Sequence, residues 1–135
     1  MRVAFALPLA LLAAGCVARP AASELLGESQ WRFAAIDGEA PVAPERATLS
    51  FEDDQLSASV GCNGMGGAWR IEEGRLIAGP LMGPRMFCQG PVWEQEKAIS
   101  ALLVAAPTLE WQGDRLILRS SGHSAELERL GPGPE

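Results

Sequence analysis

A nucleophilic enzyme needs a base within reach of its nucleophile, and this 135-residue sequence has one histidine, His123, for that task. His123 stands in a Ser-Ser-Gly-His-Ser run, which has the composition of a solvated turn. Paired carboxylates are the other common acid–base device, and Glu52, Asp53, Asp54, Glu72 and Glu73 are available. They cluster at the joints between short apolar stretches, where acidic residues serve turn geometry. No catalytic residue is therefore expected. The run Gly64-Met65-Gly66-Gly67 is followed by neither a lysine nor a helix start, so it is not read as a phosphate cradle, and no cofactor is expected. Met65, Met82 and Met86 flank two cysteines. Core filling is the first reading for them, with a soft metal site or an adaptable binding surface as the alternatives.

The cysteines carry more information. Arg2, an apolar run over 3–12 and small residues over 13–15 have the layout of an export signal too short to span a bilayer. Gly15 is followed directly by Cys16, in a run that resembles the lipobox of bacterial lipoproteins, with Ala13 where leucine is commoner. In such proteins the cysteine sulfur takes a diacylglycerol and becomes the first mature residue. Lipidation at Cys16 is expected, and two or three acyl chains make a durable anchor. A soluble exported protein cleaved near this point is the competing reading. In lipoproteins of this kind an aspartate after the cysteine favours inner-membrane retention, so Val17 points to the outer membrane, facing the periplasm.

With Cys16 assigned to lipid, Cys62 and Cys88 remain as an even pair in an exported chain. A structural bridge is the first reading. Redox-active thiols and a metal site are the others, although the pair is not a Cys-x-x-Cys and one histidine makes a poor zinc set, so no metal is expected. Eleven Lys and Arg against seventeen Asp and Glu leave a net charge of −6, with no basic stripe for phosphates. Nucleic acid is excluded as a partner, and the acidity is read as solubility.

The elements that must position these residues follow from periodicity. Residues 1–15 are read as leader, 16–28 as lipidated terminus and tether, 29–130 as one small domain, and 131–135 as a disordered tail. Alternating apolar residues predict strands over 30–36, 47–52, 55–60, 67–72, 75–78, 108–112, 115–119 and 124–129. Asp37-Gly38, Asp53-Asp54, Glu73-Gly74, Gly113-Asp114 and Ser121-Gly122 are the turns. Over 91–105 the period changes: Val92, Ile99, Leu102, Leu103 and Ala106 recur at helical spacing, opposite Glu94, Lys97 and Ser100, with Pro91 opening and Pro107 closing the segment. The expected fold is mainly β (α+β). It is a curved antiparallel sheet or partial barrel of about eight short strands, with one amphipathic α-helix covering its open side. Trp31, Trp69, Trp93 and Trp111 are expected mostly in the core, with one or two exposed near the glycine-rich turn.

Two segments then stand out together. Gly61-Cys62-Asn63-Gly64-Met65-Gly66-Gly67-Ala68-Trp69 resembles the Gly-Cys-Asn-x-x-x-Gly-x-aromatic motif of the META domain, the family that includes the heat-shock lipoprotein HslJ. Arg85-Met86-Phe87-Cys88 resembles that family's Thr-Arg-Met-x-Cys, and Trp31 and Leu116-Ile117-Leu118 fall where the family places them. The resemblance spans about residues 30–130. Pro84 replaces the family's threonine and Trp69 its commoner tyrosine. The resemblance implies a β-rich fold with one helix and links to heat response, to resistance to novobiocin and, in some parasites, to virulence, and it points to no particular enzymatic activity. The family has also been likened to the pilotins that escort secretins.

The expectation is thus a non-enzymatic, monomeric, lipid-anchored envelope protein acting in stress or antibiotic resistance or in envelope assembly. It would touch an envelope protein or a small apolar ligand through Gly61, Asn63, Met65, Gly67, Trp69, Arg85 and Met86. An inhibitor of a lytic enzyme or protease, and a barrel-like carrier of an apolar molecule, are the alternatives.

Overall fold

The computed structural model describes residues 3–4, 10, 14–16 and 21–131. Most of the leader expected over 1–15, and 132–135 of the expected tail, lie outside the described residues. Cys16 is exposed, and none of the described helices is long and apolar enough to cross a membrane.

Eight strands follow one another in space as in sequence: β1 (Ser29–Ile36), β2 (Thr48–Glu52), β3 (Gln55–Ser59), β4 (Met65–Glu72), β5 (Arg75–Ala78), β6 (Thr108–Gln112), β7 (Arg115–Ser120) and β8 (His123–Arg129). Each begins or ends within two residues of its sequence expectation. The period-two pattern explains why: in β1, Ser29, Trp31 and Phe33 are buried while Gln30 and Arg32 are exposed. Three hairpins turn through two successive positive φ angles, at Asp37-Gly38 (51° and 81°), Glu73-Gly74 (50° and 75°) and Ser121-Gly122 (49° and 76°), the geometry that matches strand twist.

The expected mainly β fold of eight antiparallel strands and one main helix is present, and the curvature goes to completion: the sheet closes, with β8 pairing back onto β1. Eight strands suffice for closure around a side-chain-filled interior, and a β1 bulge between Phe33 and Ala35 helps to bend the sheet. The β5–β6 seam is narrow, with one register pair, Arg75↔Thr108. It is flanked by the Leu76 N–H to Pro107 O bond at 2.9 Å and the Leu109 N–H to Gly74 O bond at 3.3 Å. Inside, Trp31, Phe33, Leu49, Phe51, Leu56 and Leu116 are at most 2% exposed. This packing occupies the space an apolar cargo would need and counts against the carrier reading.

Because neighbouring strands alternate in direction, the barrel has two chemically different ends. The near end holds the start of β1 and the turns at 53–54, 73–74 and 113–114; the far end holds 37–38, 60–64, 83–90 and 121–122. Residues 21–28 are not simple tether. They carry a short helix, α1 (Ala22–Leu26), and the fully buried Leu26 closes the near end. Burial of that leucine, with Arg129 donating to Leu25 O at 2.8 Å, supplies the stability that a helix of five residues lacks by itself.

The second helix, α2 (Pro91–Val104), packs against β8, β5, β7 and β1 and lies across the far end, rather than covering an open flank. Ile99, Leu102 and Leu103 point into the barrel, as expected from their spacing, and Pro91 occupies the first turn. Ala106 falls beyond the helix in a turn with φ of 52°.

Candidate functional site

The far end gathers both sequence motifs. Cys62, in the loop before β4, is disulfide-bonded to Cys88, in the segment before α2, with Cα atoms 6.1 Å apart. The bridge reading therefore holds over free thiols or metal ligation. Beside it, Asn63 is only 5% exposed, and its backbone N–H and both ends of its side-chain amide are engaged. Its backbone N–H donates to Glu96 Oε1 at 2.6 Å, and Nδ2 donates to Glu96 Oε2 at 3.0 Å and to Met86 O at 2.8 Å. Its Oδ1 accepts from Met86 N–H at 3.1 Å. The side-chain amide thus imitates a β-strand partner for Met86, which neither aspartate, lacking the donor, nor a hydroxyl could do.

Glu96 was not singled out by the sequence expectations, although a signal was present. Positions 92, 95, 96, 99, 102 and 103 form one helical stripe, and two of them are Gln95 and Glu96. A polar residue inside an apolar stripe requires a buried partner. Gln95 finds one as well, donating to Ala40 O at 3.0 Å and accepting from Val42 N–H at 2.9 Å. Adjacent residues of α2 therefore clamp two far-end loops to the helix.

Beyond Ala78 the chain continues beside β4. Gly79 N–H donates to Ala68 O at 2.9 Å, and Met82 and Gly66 exchange backbone hydrogen bonds of 2.8 and 2.9 Å. This approach explains Gly67 of the motif and Gly83 beyond it. A Cβ at Gly67 would collide with the Pro80 carbonyl, and one at Gly83 with the Gly64 carbonyl. Gly83→Ala is expected to cost about 2 kcal/mol in urea unfolding. Gly64→Ala, with nothing within 4 Å of its Cβ, should stay within about 0.5 kcal/mol of the parent; equal effects would contradict this account.

Between the 81–85 segment and α2 lies a groove of about 340 Å³, lined by Met65, Met82, Arg85, Trp93, Glu96 and Lys97 among others. Its outer lip is unusually apolar for a surface: Met82 and Phe87 are 75% exposed and Met86 is 62% exposed. Core filling was the expectation for Met82 and Met86; the bridge and the Asn63 clamp instead hold this segment outside the barrel. Phe87 rests against Trp93, with ring centroids 5.2 Å apart. Lys97 is paired with Glu94 at 2.9 Å, whereas Arg85 meets no carboxylate within 4 Å among the described residues.

Of the residues expected to act together, Asn63, Met65 and Arg85 line this groove and Met86 adjoins it. Gly61, at φ 113°, is packed where a Cβ would lie 2.9 Å from that of Ala43, and Gly67 lies beneath Pro80. Trp69 does not belong to the site. β4 carries it toward the near end, where its ring meets Phe51 edge-on at 5.0 Å and its Nε1–H donates to Asp53 O at 3.1 Å. Met65 and Trp69 are both half-buried and packed against the core rather than free. His123 pairs through Nδ1 with Asp37 at 2.8 Å, and Asp37 also accepts from Ser124 N–H at 2.9 Å. Burial pushes the Asp37 carboxyl up, but the Ser124 and His123 hydrogen bonds and the His123 charge outweigh it, leaving the group below its ordinary value. The pair ties the 37–38 turn to the last hairpin.

The chain matches the family model of the META domain over residues 24–131. It is similar to a protein from Burkholderia xenovorans solved by NMR, with 24% identity, coverage of 93% of this chain and 100% of that one, and a TM-score of 0.65. A second NMR structure is similar at 21% identity, covering 81% of this chain and 95% of the other, with a TM-score of 0.70. At these identities the two structures establish a shared fold. No curated protein matches the chain.

Proposed function

The chain belongs to the META domain family, and from that premise we propose that it is a lipid-anchored envelope protein that works by binding, not catalysis, in stress or antibiotic resistance or in envelope assembly. One observation carries the reading: Met82, Met86 and Phe87 are all exposed along a segment whose Arg85 meets no carboxylate among the described residues, and a disulfide and a buried Asn63–Glu96 pair hold that segment in place. Fixing an apolar surface before the partner arrives reduces the ordering cost of association.

The barrel's polarity supports the same reading. The chain enters the domain at the near end, and the step from Cys16 to Ala22 reaches at most about 20 Å. A lipid at Cys16 would hold the near end close to the bilayer and turn the far end outward. The binding face would then meet a protein projecting from the envelope and not the anchoring membrane.

A photoreactive residue at Phe87 in intact cells should form a discrete crosslinked species, and one at Gln112, on the near-end side, should not. Should the captured protein be a lytic enzyme whose activity falls on titration with the purified chain, the binding is inhibitory. Equal labelling from both positions, or none from Phe87, would sink the proposal.

A further inference from the structure

Resting on that reading of the far end as a binding face, we infer that the groove beside α2 takes an extended segment of a partner protein in which an acidic side chain neighbours a bulky apolar one. Three features converge on this occupant. The first is charge. In a chain of net charge −6, the groove's mouth carries Arg85, which no carboxylate neutralises among the described residues, while Lys97 on the facing helix is already paired with Glu94. A partner carboxylate completes the arginine, and a basic segment is repelled.

The second is the wall. Met65, Leu81, Met82 and Trp93 form an apolar lining in which the methionines can adapt to the side chain they receive. A volume of about 340 Å³ is at the small end for ligand sites and suits one bulky side chain with its neighbour. Glu96 also reaches this wall, but both its oxygens are held by Asn63. Its charge directs an incoming carboxylate away from the helix and toward Arg85.

The third is the backbone. Gly64, Gly83 and Arg85 line the groove; the Gly64 carbonyl is packed against Gly83, but among the described residues the N–H and C=O groups of Gly83 and Arg85 take part in no backbone hydrogen bond. An extended peptide offers both donors and acceptors to such groups, as in strand addition to a sheet edge, whereas an ionised fatty acid offers acceptors alone. The narrow groove, the free backbone and the uncompensated cation together favour a peptide over a lipid or a fatty acid.

The test uses the full-length protein in neutral detergent micelles, with amide shifts of Gly64, Gly83 and Lys97 as the readout. Three blocked pentapeptides are titrated, Gly-Glu-Phe-Glu-Gly and its Gln and Lys counterparts, with decanoate as a fourth ligand. The Glu peptide should bind about tenfold or more tightly than the Lys peptide, and Arg85→Glu should reverse that order. Equal affinity for all three peptides, binding of decanoate alone, or no shifts with any of them would overturn the inference. If the Phe87 crosslink persists in that case, the binding face stands and only its assigned partner chemistry fails. If the crosslink is also absent, the face itself is lost.

Discussion

Removing the bridge with Cys62→Ala and Cys88→Ala together is expected to lower the unfolding free energy by about 3.5 kcal/mol, read from urea denaturation at fixed m-value. The two cysteines lie 26 positions apart, and opening that loop returns chain entropy to the unfolded state. A small domain has only about 5–15 kcal/mol of net stability, so the loss is a large share. The native state should also change locally. Apart from the bridge, the 83–90 segment is held by the Asn63 amide at Met86 and by the Phe87–Trp93 contact. Amide exchange over 83–90 should therefore accelerate well before the barrel strands exchange. A loss below about 1 kcal/mol would mean that the unfolded chain is already compact around this loop.

Asn63→Asp should be nearly as costly, at about 3 kcal/mol, despite its almost unchanged shape. The substitution removes the Nδ2 donor from both Glu96 Oε2 and Met86 O and sets a second carboxylate against a glutamate that is 8% exposed. Volume is conserved, so the loss reports hydrogen bonding and charge alone. Pairing Asn63→Asp with Glu96→Gln gives the new carboxylate a donor and should recover about half of the loss. The Met86 carbonyl remains without its partner, which is why recovery is incomplete. Equal stability of the single and double variants would show that the Asn63–Glu96 contact is incidental. Because Met86 is positioned by the same amide, both variants should also blur the groove's lip, visible as broadened Met86 and Phe87 resonances.

How much of this could be read before folding depends on the range of each interaction. Strand limits were legible because alternation is a property of adjacent residues, as in Ser29, Trp31 and Phe33. The hairpins were legible because Asp-Gly, Glu-Gly and Ser-Gly pairs tolerate the positive φ angles that they adopt at 37–38, 73–74 and 121–122. The helix was legible in Ile99, Leu102 and Leu103. The bridge could be argued from parity and compartment, and the glycine-rich motif marked the correct loop.

The misplacements have a common origin in non-local geometry. The α1 segment is only five residues long, too short to hold a helix alone, and Leu26 becomes informative only once there is a barrel end to close. Trp69 shares a motif with Asn63, but a strand moves successive residues along the barrel, and six positions carry it from the far-end site to Phe51. Met82 and Met86 resemble core residues by type, and only the path of the 79–90 segment leaves them outside.

The sequence by itself determined the eight strands, the turns between them, the single long helix and the cysteine pair, because dihedral preference and periodicity act within a few residues. Tertiary structure alone decided closure of the barrel, the separation of the end that Leu26 closes from the end that carries the groove, and the burial of Glu96 against an asparagine 33 positions away. Those outcomes depend on strand stagger and on which loops meet across the far end, and each arises from contacts between segments distant in the chain.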